Sequence, residues 1–178
     1  MNINIVIAQL RMYAHVFGGR VAGAADFANG LETNVWMDSP SAYVIPLDED
    51  AQDNESNVGL VQRITERVGV IVALDNTADR RGQDAATSLH DLRSDIWAAV
   101  LNWRPDGSSQ TKGFAYGGGQ LRDFDRGRLF YQFEFTIETT VSDDDGWQAD
   151  RIPLTEIDLV GTNPDTQIPF IDLRVTLP

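Results

Sequence analysis

The side chains that could do chemistry in this chain are few, and their spacing does not assemble a reactive centre. There are two histidines, His15 and His90, and no cysteine. A hydrolytic triad needs a Ser or Thr nucleophile beside a His that a carboxylate holds in place. Neither histidine sits in such a motif, and no Gly-x-Ser-x-Gly elbow occurs. A zinc site draws mainly on Cys and His, and the chain offers too few of either. Carboxylates are plentiful, and the pair Glu134 and Glu138 shares one face of a candidate strand. Strand rise sets them about 13 Å apart, too far for the paired carboxylates of a glycosidase.

Three loops resemble ligand sites on first inspection. Asp48 to Asn57 holds Asp48, Glu49, Asp50, Asp53 and Glu55 with no basic residue, a local charge of −5. A calcium loop needs alternating carboxylates around a mid-loop Gly and a well-placed final Glu. That order is absent, so the segment reads as a solvated loop. Ser142-Asp143-Asp144-Asp145-Gly146 raises the same metal question and reads as an acidic turn. Gly117-Gly118-Gly119 lacks the spacing and the Lys-Ser/Thr of a phosphate loop. It reads as a bulge or turn in a strand. The expectation is no catalytic residue, no metal and no cofactor, hence not an enzyme.

Composition sets the outer limits. With 178 residues, 42% apolar and 23% charged, the chain can bury its own core as one ordinary domain with appendages. It holds no run of about 18 apolar residues, so no membrane span is expected. The first basic residue, Arg11, follows the opening apolar run, so a secretory signal is not expected. The lack of cysteine fits folding in a reducing cytosol. The net charge is −13. A protein that grips nucleic acid neutralises phosphates with Lys and Arg, so this chain repels DNA on average. That suits a conduit through which DNA slides, and equally a protein whose acidity only keeps it soluble.

The elements that would position these side chains are well marked. Leu129, Tyr131, Phe133, Phe135, Ile137 and Val141 alternate with Gln132, Glu134, Thr136, Glu138 and Thr140. Period-two alternation predicts one long strand with a buried face and a wet or partner-facing one. Val61 to Asn76 predicts a second, with Ile64, Val68, Val70, Val72 and Leu74 on one face. Its other face begins with Arg63, Thr65 and Arg67 and turns apolar at Ile71 and Ala73. That switch predicts a strand that protrudes at its start and is buried on both sides at its end. Ala42 to Leu47 is a third strand, and Pro46 marks an edge or the strand's end.

Ile3 to Val16 is predicted as an amphipathic helix ended by Gly18-Gly19, with a further helical turn near Ala24 to Asn29. Asp84 is the expected N-cap of a second main helix. Leu89, Leu92, Ile96, Ala99, Val100 and Trp103 form its stripe, and Pro105 stops it. His90 lies off that stripe and reads as a surface residue. Beyond Trp147, the apolar runs Ile157 to Val160 and Phe170 to Leu177 lie among prolines. They predict an extended arm that covers the domain or adds a strand to a neighbour.

The order helix, strand, acidic loop, long strand and amphipathic helix resembles the tail terminator proteins of tailed bacteriophages. The similarity is carried by Val-Gln-Arg-Ile-Thr-Glu-Arg-Val-Gly-Val-Ile-Val-Ala-Leu-Asp-Asn (61–76) and Leu-His-Asp-Leu-Arg-Ser-Asp-Ile-Trp-Ala-Ala-Val-Leu-Asn-Trp (89–103). A paired strand ending in Arg-Leu-Phe-Tyr-Gln-Phe-Glu-Phe (128–135) completes it. It covers about residues 1–145, which form the expected domain, and leaves 146–178 as the arm.

The resemblance implies an α/β (α+β) fold: a mixed, mainly antiparallel sheet with two main helices packed on it. It also implies a structural virion protein of the tail and neck, assembled in the host cytoplasm. Copies would close into a homo-hexameric ring that caps the tail tube protein, ends tube polymerisation and presents a surface to head-tail connector proteins. DNA would pass through the lumen without specific binding. Candidate contacts with the next subunit or the tube are Asp48, Glu49, Asp50, Arg63, Arg67, Phe170, Ile171 and Leu173. Gln132, Glu134 and Glu138 are candidates for the lumen face. Competing readings are another head-tail connector or neck completion protein, an acidic DNA mimic, and a small-ligand-binding domain.

Overall fold

The computed structural model describes residues 1–75, 83–105, 107, 111–124, 127–147, 156–162 and 169–176; of these, 83–87, 123, 124 and the last two segments are described by backbone alone. The chain runs α1 (Ile3–Tyr13), β1 (Val21–Gly23), α2 (Ala24–Thr33), β2 (Ser41–Ala51), β3 (Val61–Asp75), α3 (Gln83–Val100), β4 (Ala115–Phe124) and β5 (Arg128–Ser142). Then follow β6 (Glu156–Thr162) and β7 (Pro169–Thr176). Two compact units divide at Ser142/Asp143.

In the first unit the strands order β1-β2-β3-β5-β4. The β1–β2 pair is parallel and every other pair is antiparallel. The fold is thus α+β with a mixed, mostly antiparallel sheet. Its backbone is the β3–β5 ladder, continuous from Val61 opposite Ser142 to Asp75 opposite Arg128.

Period-two alternation sorts the two long strands between two apolar layers. On one face Val68, Val70, Val72, Phe133, Phe135 and Ile137 are buried together with Val6, Leu10, Leu92 and Ile96 of α1 and α3. The α3 stripe is as its spacing predicts: Leu92, Ile96, Ala99 and Val100 are buried, while Leu89, Trp97 and Trp103 pack at the margin. Gln9 of α1 donates to the Ala99 carbonyl of α3 at 2.9 Å, tying the two helices together.

On the other face Ile71, Ala73, Tyr43 and Phe130 form a smaller layer under Phe27 and Trp36. The Trp36 and Phe130 rings are 4.8 Å apart between centroids. Gly30 of α2 makes room for this packing, because a Cβ there would lie 2.5 Å from Trp36 Cζ3. This second layer covers only one end of the sheet.

Several boundaries differ from the expectations. The first helix stops at Tyr13, and a short 3-10 turn (His15–Phe17) closes on left-handed Gly18 (φ 52). Asn2 caps its start, accepting from the Asn4 amide at 3.0 Å. The helical turn near Ala24 is a full helix of 10 residues, and the three-residue β1 before it has no sequence signal of its own. The second main helix opens at Gln83, one residue before Asp84. Asp48, Glu49 and Asp50, expected in a loop, belong to β2. Pairing with β1 ends at Val44, so β2 is an edge from Ile45 onward, where Pro46 removes a donor at little cost. A bulge follows between Pro46 and Glu49. Gly117 to Gly119 lie in β4, which is bulged between Tyr116 and Gly118 as expected, with Gly118 at φ 143.

In the second unit β6 and β7 pair as an antiparallel hairpin, Ile157 opposite Val175 and Leu159 opposite Leu173. Among the described residues, no helix is long and apolar enough to cross a membrane.

Candidate assembly surface

Residues directly opposite in an antiparallel ladder project to the same face. Arg63 faces Thr140, Thr65 faces Glu138, Arg67 faces Thr136 and Gly69 faces Glu134. The two sets of candidates, one on β3 and one on β5, therefore lie on one polar face of the sheet. It begins where the small apolar layer under α2 stops, and Asp50, opposite Thr65, continues it onto β2. Glu49 projects to the other face, opposite Glu66, whose carboxylate holds the Met1 amino group at 2.6 Å.

Most charges on this face are paired within the subunit. Arg67 binds Asp48 at 2.8 Å, and Arg63 pairs with Glu55. Lys112 reaches Glu138 at 2.6 Å, and its amide donates to the Glu138 carbonyl at 2.8 Å. The two arginine pairs are substantially exposed and hold the β2–β3 hairpin in shape more than they stabilise the fold.

Gln132 is a correction to the expected wet face, being fully buried. Its Nε2 donates to Glu134 Oε1 at 2.7 Å, and its Oε1 accepts from Arg122 Nε at 2.7 Å. Gln120 also donates to Glu134 Oε1, at 2.8 Å. Gly69 leaves the room for this network, since a Cβ there would sit 3.3 Å from Gln132 Cδ. A polar side chain sealed among such partners belongs to the interior of the subunit.

The tip between β2 and β3 is an ordered loop built on Asn54. The Asn54 amide nitrogen donates to the Ser56 and Gly59 carbonyls at 3.0 and 2.9 Å. Its oxygen accepts from the Ser56 and Val61 amides at 3.2 and 2.9 Å. Val58, at the crest, is 98% exposed.

A second feature lies across the sheet, where α3 overhangs β5 and the β4 edge. A cavity of about 280 Å³ is lined by Leu89, His90, Arg93, Tyr131 and Phe133. The Arg93 guanidinium lies 4.9 Å from the centroid of the Trp97 ring, with Nη2 3.0 Å from His90 Nδ1. Arg93 Nε and Trp97 Nε1 are buried and bond to nothing. Beside them the Tyr116 and Tyr131 hydroxyls converge, 2.8 and 2.9 Å from where a Gly119 Cβ would stand. Burial pushes the Tyr116 phenol above its usual range, Tyr131 and Glu134 add to this, and Arg93 opposes it. The sequence gives little sign of this cluster, because its members come from α3, β4 and β5 and Arg93 resembles any charged helix residue.

Phe170, Ile171 and Leu173 are on β7, in the second unit, with Ile171 opposite Gly161. Among the described residues no group of three or more His, Asp or Glu side chains is placed to hold a metal ion. His15 and His90 are both exposed and lie in separate helical segments.

Fold and surface together define a small α+β protein whose broadest feature is a polar sheet face of long strands. The family model for phage tail terminator protein matches residues 1–144, and the chain belongs to that family. It is accordingly a structural protein of the phage tail and a component of the virion. The match ends two residues past β5, so the β6–β7 hairpin lies outside it. No curated protein matches the chain. Among solved structures it is similar to one titled "Virion of native gene transfer agent (GTA) particle", at 16% identity, with 76% of this chain and 92% of that one covered and a TM-score of 0.41.

Proposed function

We propose that this protein ends tail-tube growth by closing into a ring. Six copies form an annulus on the last layer of tail tube protein, block further addition, and present their free side to head-tail connector proteins. The observation that carries this reading is the family match, which spans the whole first unit and stops with it. In a closed ring one patch of each subunit meets a different patch of the next. The β2–β3 hairpin, with Asp48, Asp50, Arg63 and Arg67, is the first candidate for that contact or for the tube. Glu49, on the opposite face, and Phe170, Ile171 and Leu173 of β7 are further candidates.

Glu134 and Glu138 are the candidate lumen residues that remain after the burial of Gln132. A net charge of −13 supports a lumen that DNA crosses without specific binding. Work of this kind is done by shape and surface charge, without bond-making chemistry. Deletion of the gene should give overlong tails without heads, scored by electron micrographs. Tails of normal length joined to heads would reject the proposal. The mass of the species formed with tail tube protein should correspond to a hexamer.

A further inference from the structure

We infer that the acidic tip of the β2–β3 hairpin docks on the Arg93 cavity of the next copy of this chain. The inference rests on the ring reading and names the two unlike patches that such a ring requires. The tip and the cavity have complementary chemistry. Five carboxylates and two arginines lie between Asp48 and Arg67 when Glu66 is left to the Met1 amino group, a balance of −3. Both arginines are already paired, with Asp48 and Glu55. Asp50 and Asp53, both exposed, therefore leave negative charge on the hairpin whose loop carries the exposed Val58.

The cavity offers the converse: the Arg93 guanidinium, whose buried Nε–H has no acceptor, and apolar walls from Leu89 and Phe133. A buried donor left unpaired is costly, and an incoming carboxylate would remove that cost. Among the described residues Arg93 takes part in none of the ion pairs.

The tip cannot reach the cavity of its own subunit. It lies beyond Ser142 in the β5 register, whereas the cavity is at Tyr131 and Phe133. Nine residues of strand separate them, roughly 30 Å. Asn54 holds the loop in one shape, so little ordering entropy is left to lose on docking.

The chain lacks cysteine, so engineered pairs report contacts between its copies without background from its own thiols. Full-length V58C/H90C, assembled with tail tube protein and treated with a short bismaleimide, should give a covalent ladder reaching the hexamer. The single variants, and V58C paired with L31C on α2, should not. R93E should lower the ring-assembled fraction by about tenfold or more, a loss of 1.4 kcal/mol or more, and D53R/R93E should recover part of it. Intact rings with no V58C–H90C ladder, or V58C linked only to tube protein, would overturn the docking and leave the ring standing. Wild-type protein that forms no ring with tube protein would overturn both. The cysteine pair lies at exposed positions, so it decides the matter even where R93E fails to fold.

Discussion

The two halves of β3 are continuous in one strand and meet opposite conditions. From Val68 to Leu74 every residue is buried, with Val70 and Val72 against α1 and α3 and Ile71 and Ala73 under α2 and its following loop. From Val61 to Arg67 the same ladder to β5 continues, but no residue is fully buried and Arg63 and Arg67 carry charge. Backbone hydrogen bonding is shared by the two halves, so it cannot account for the difference. What differs is cover: α2 and the Trp36 loop pack over the inner half only, and on the opposite face the outer half meets just the start of the chain, at Glu66. The inner half supplies stability, and the outer half is available for contact with other molecules.

Substitutions should separate the halves by size of effect. Phe135→Ala, on the buried face opposite Val68, should destabilise the subunit by about 3–5 kcal/mol in urea unfolding. A loss under about 1 kcal/mol would mean that the inner half is not the core it resembles. Gln132→Ala tests the boundary between the halves. It removes a buried side chain and one donor from half-buried Glu134, and should cost about 1–3 kcal/mol. An unchanged unfolding midpoint would return Gln132 to the wet face. Arg67→Ala, which breaks an exposed pair with Asp48, should cost less than about 1 kcal/mol and matter still less at high salt. A larger loss that persists in salt would show that the outer half carries stability as well.

How much of this was legible in the sequence follows from how local each signal is. The stripe from Leu89 to Val100 and the alternation from Leu129 to Ile137 are local, and both elements appear there, although the helix stops at Val100, short of Trp103. The burial switch along β3 was visible too, because Ile71 and Ala73 break the polar run of Arg63, Thr65 and Arg67. The burial of Gln132 is not legible, because it is set by groups on the two neighbouring strands, Ile71 on β3 and Arg122 on β4. The acidic run at 48–50 reads as loop because charge suggests exposure; its residues are exposed, while the pairing of Glu49 to Ala51 with Ile64 to Glu66 leaves no local sign. The β6–β7 pairing is not legible for the same reason: two apolar runs do not announce that they pair with each other.

By itself, the sequence determined the long strands β3 and β5 and the main helices, that one face of those strands is largely apolar, and that the charge is strongly negative. Those are properties of each residue and its near neighbours, written in periods of two and 3.6. Tertiary structure decided that Arg63 and Arg67 are neutralised within their own hairpin, that Gln132 is sealed, and that Arg93, Trp97, Tyr116 and Tyr131 gather at one edge. Each of these depends on which strand or helix lies alongside, and chain pairing over long separations leaves no periodic trace in the residues that it brings together.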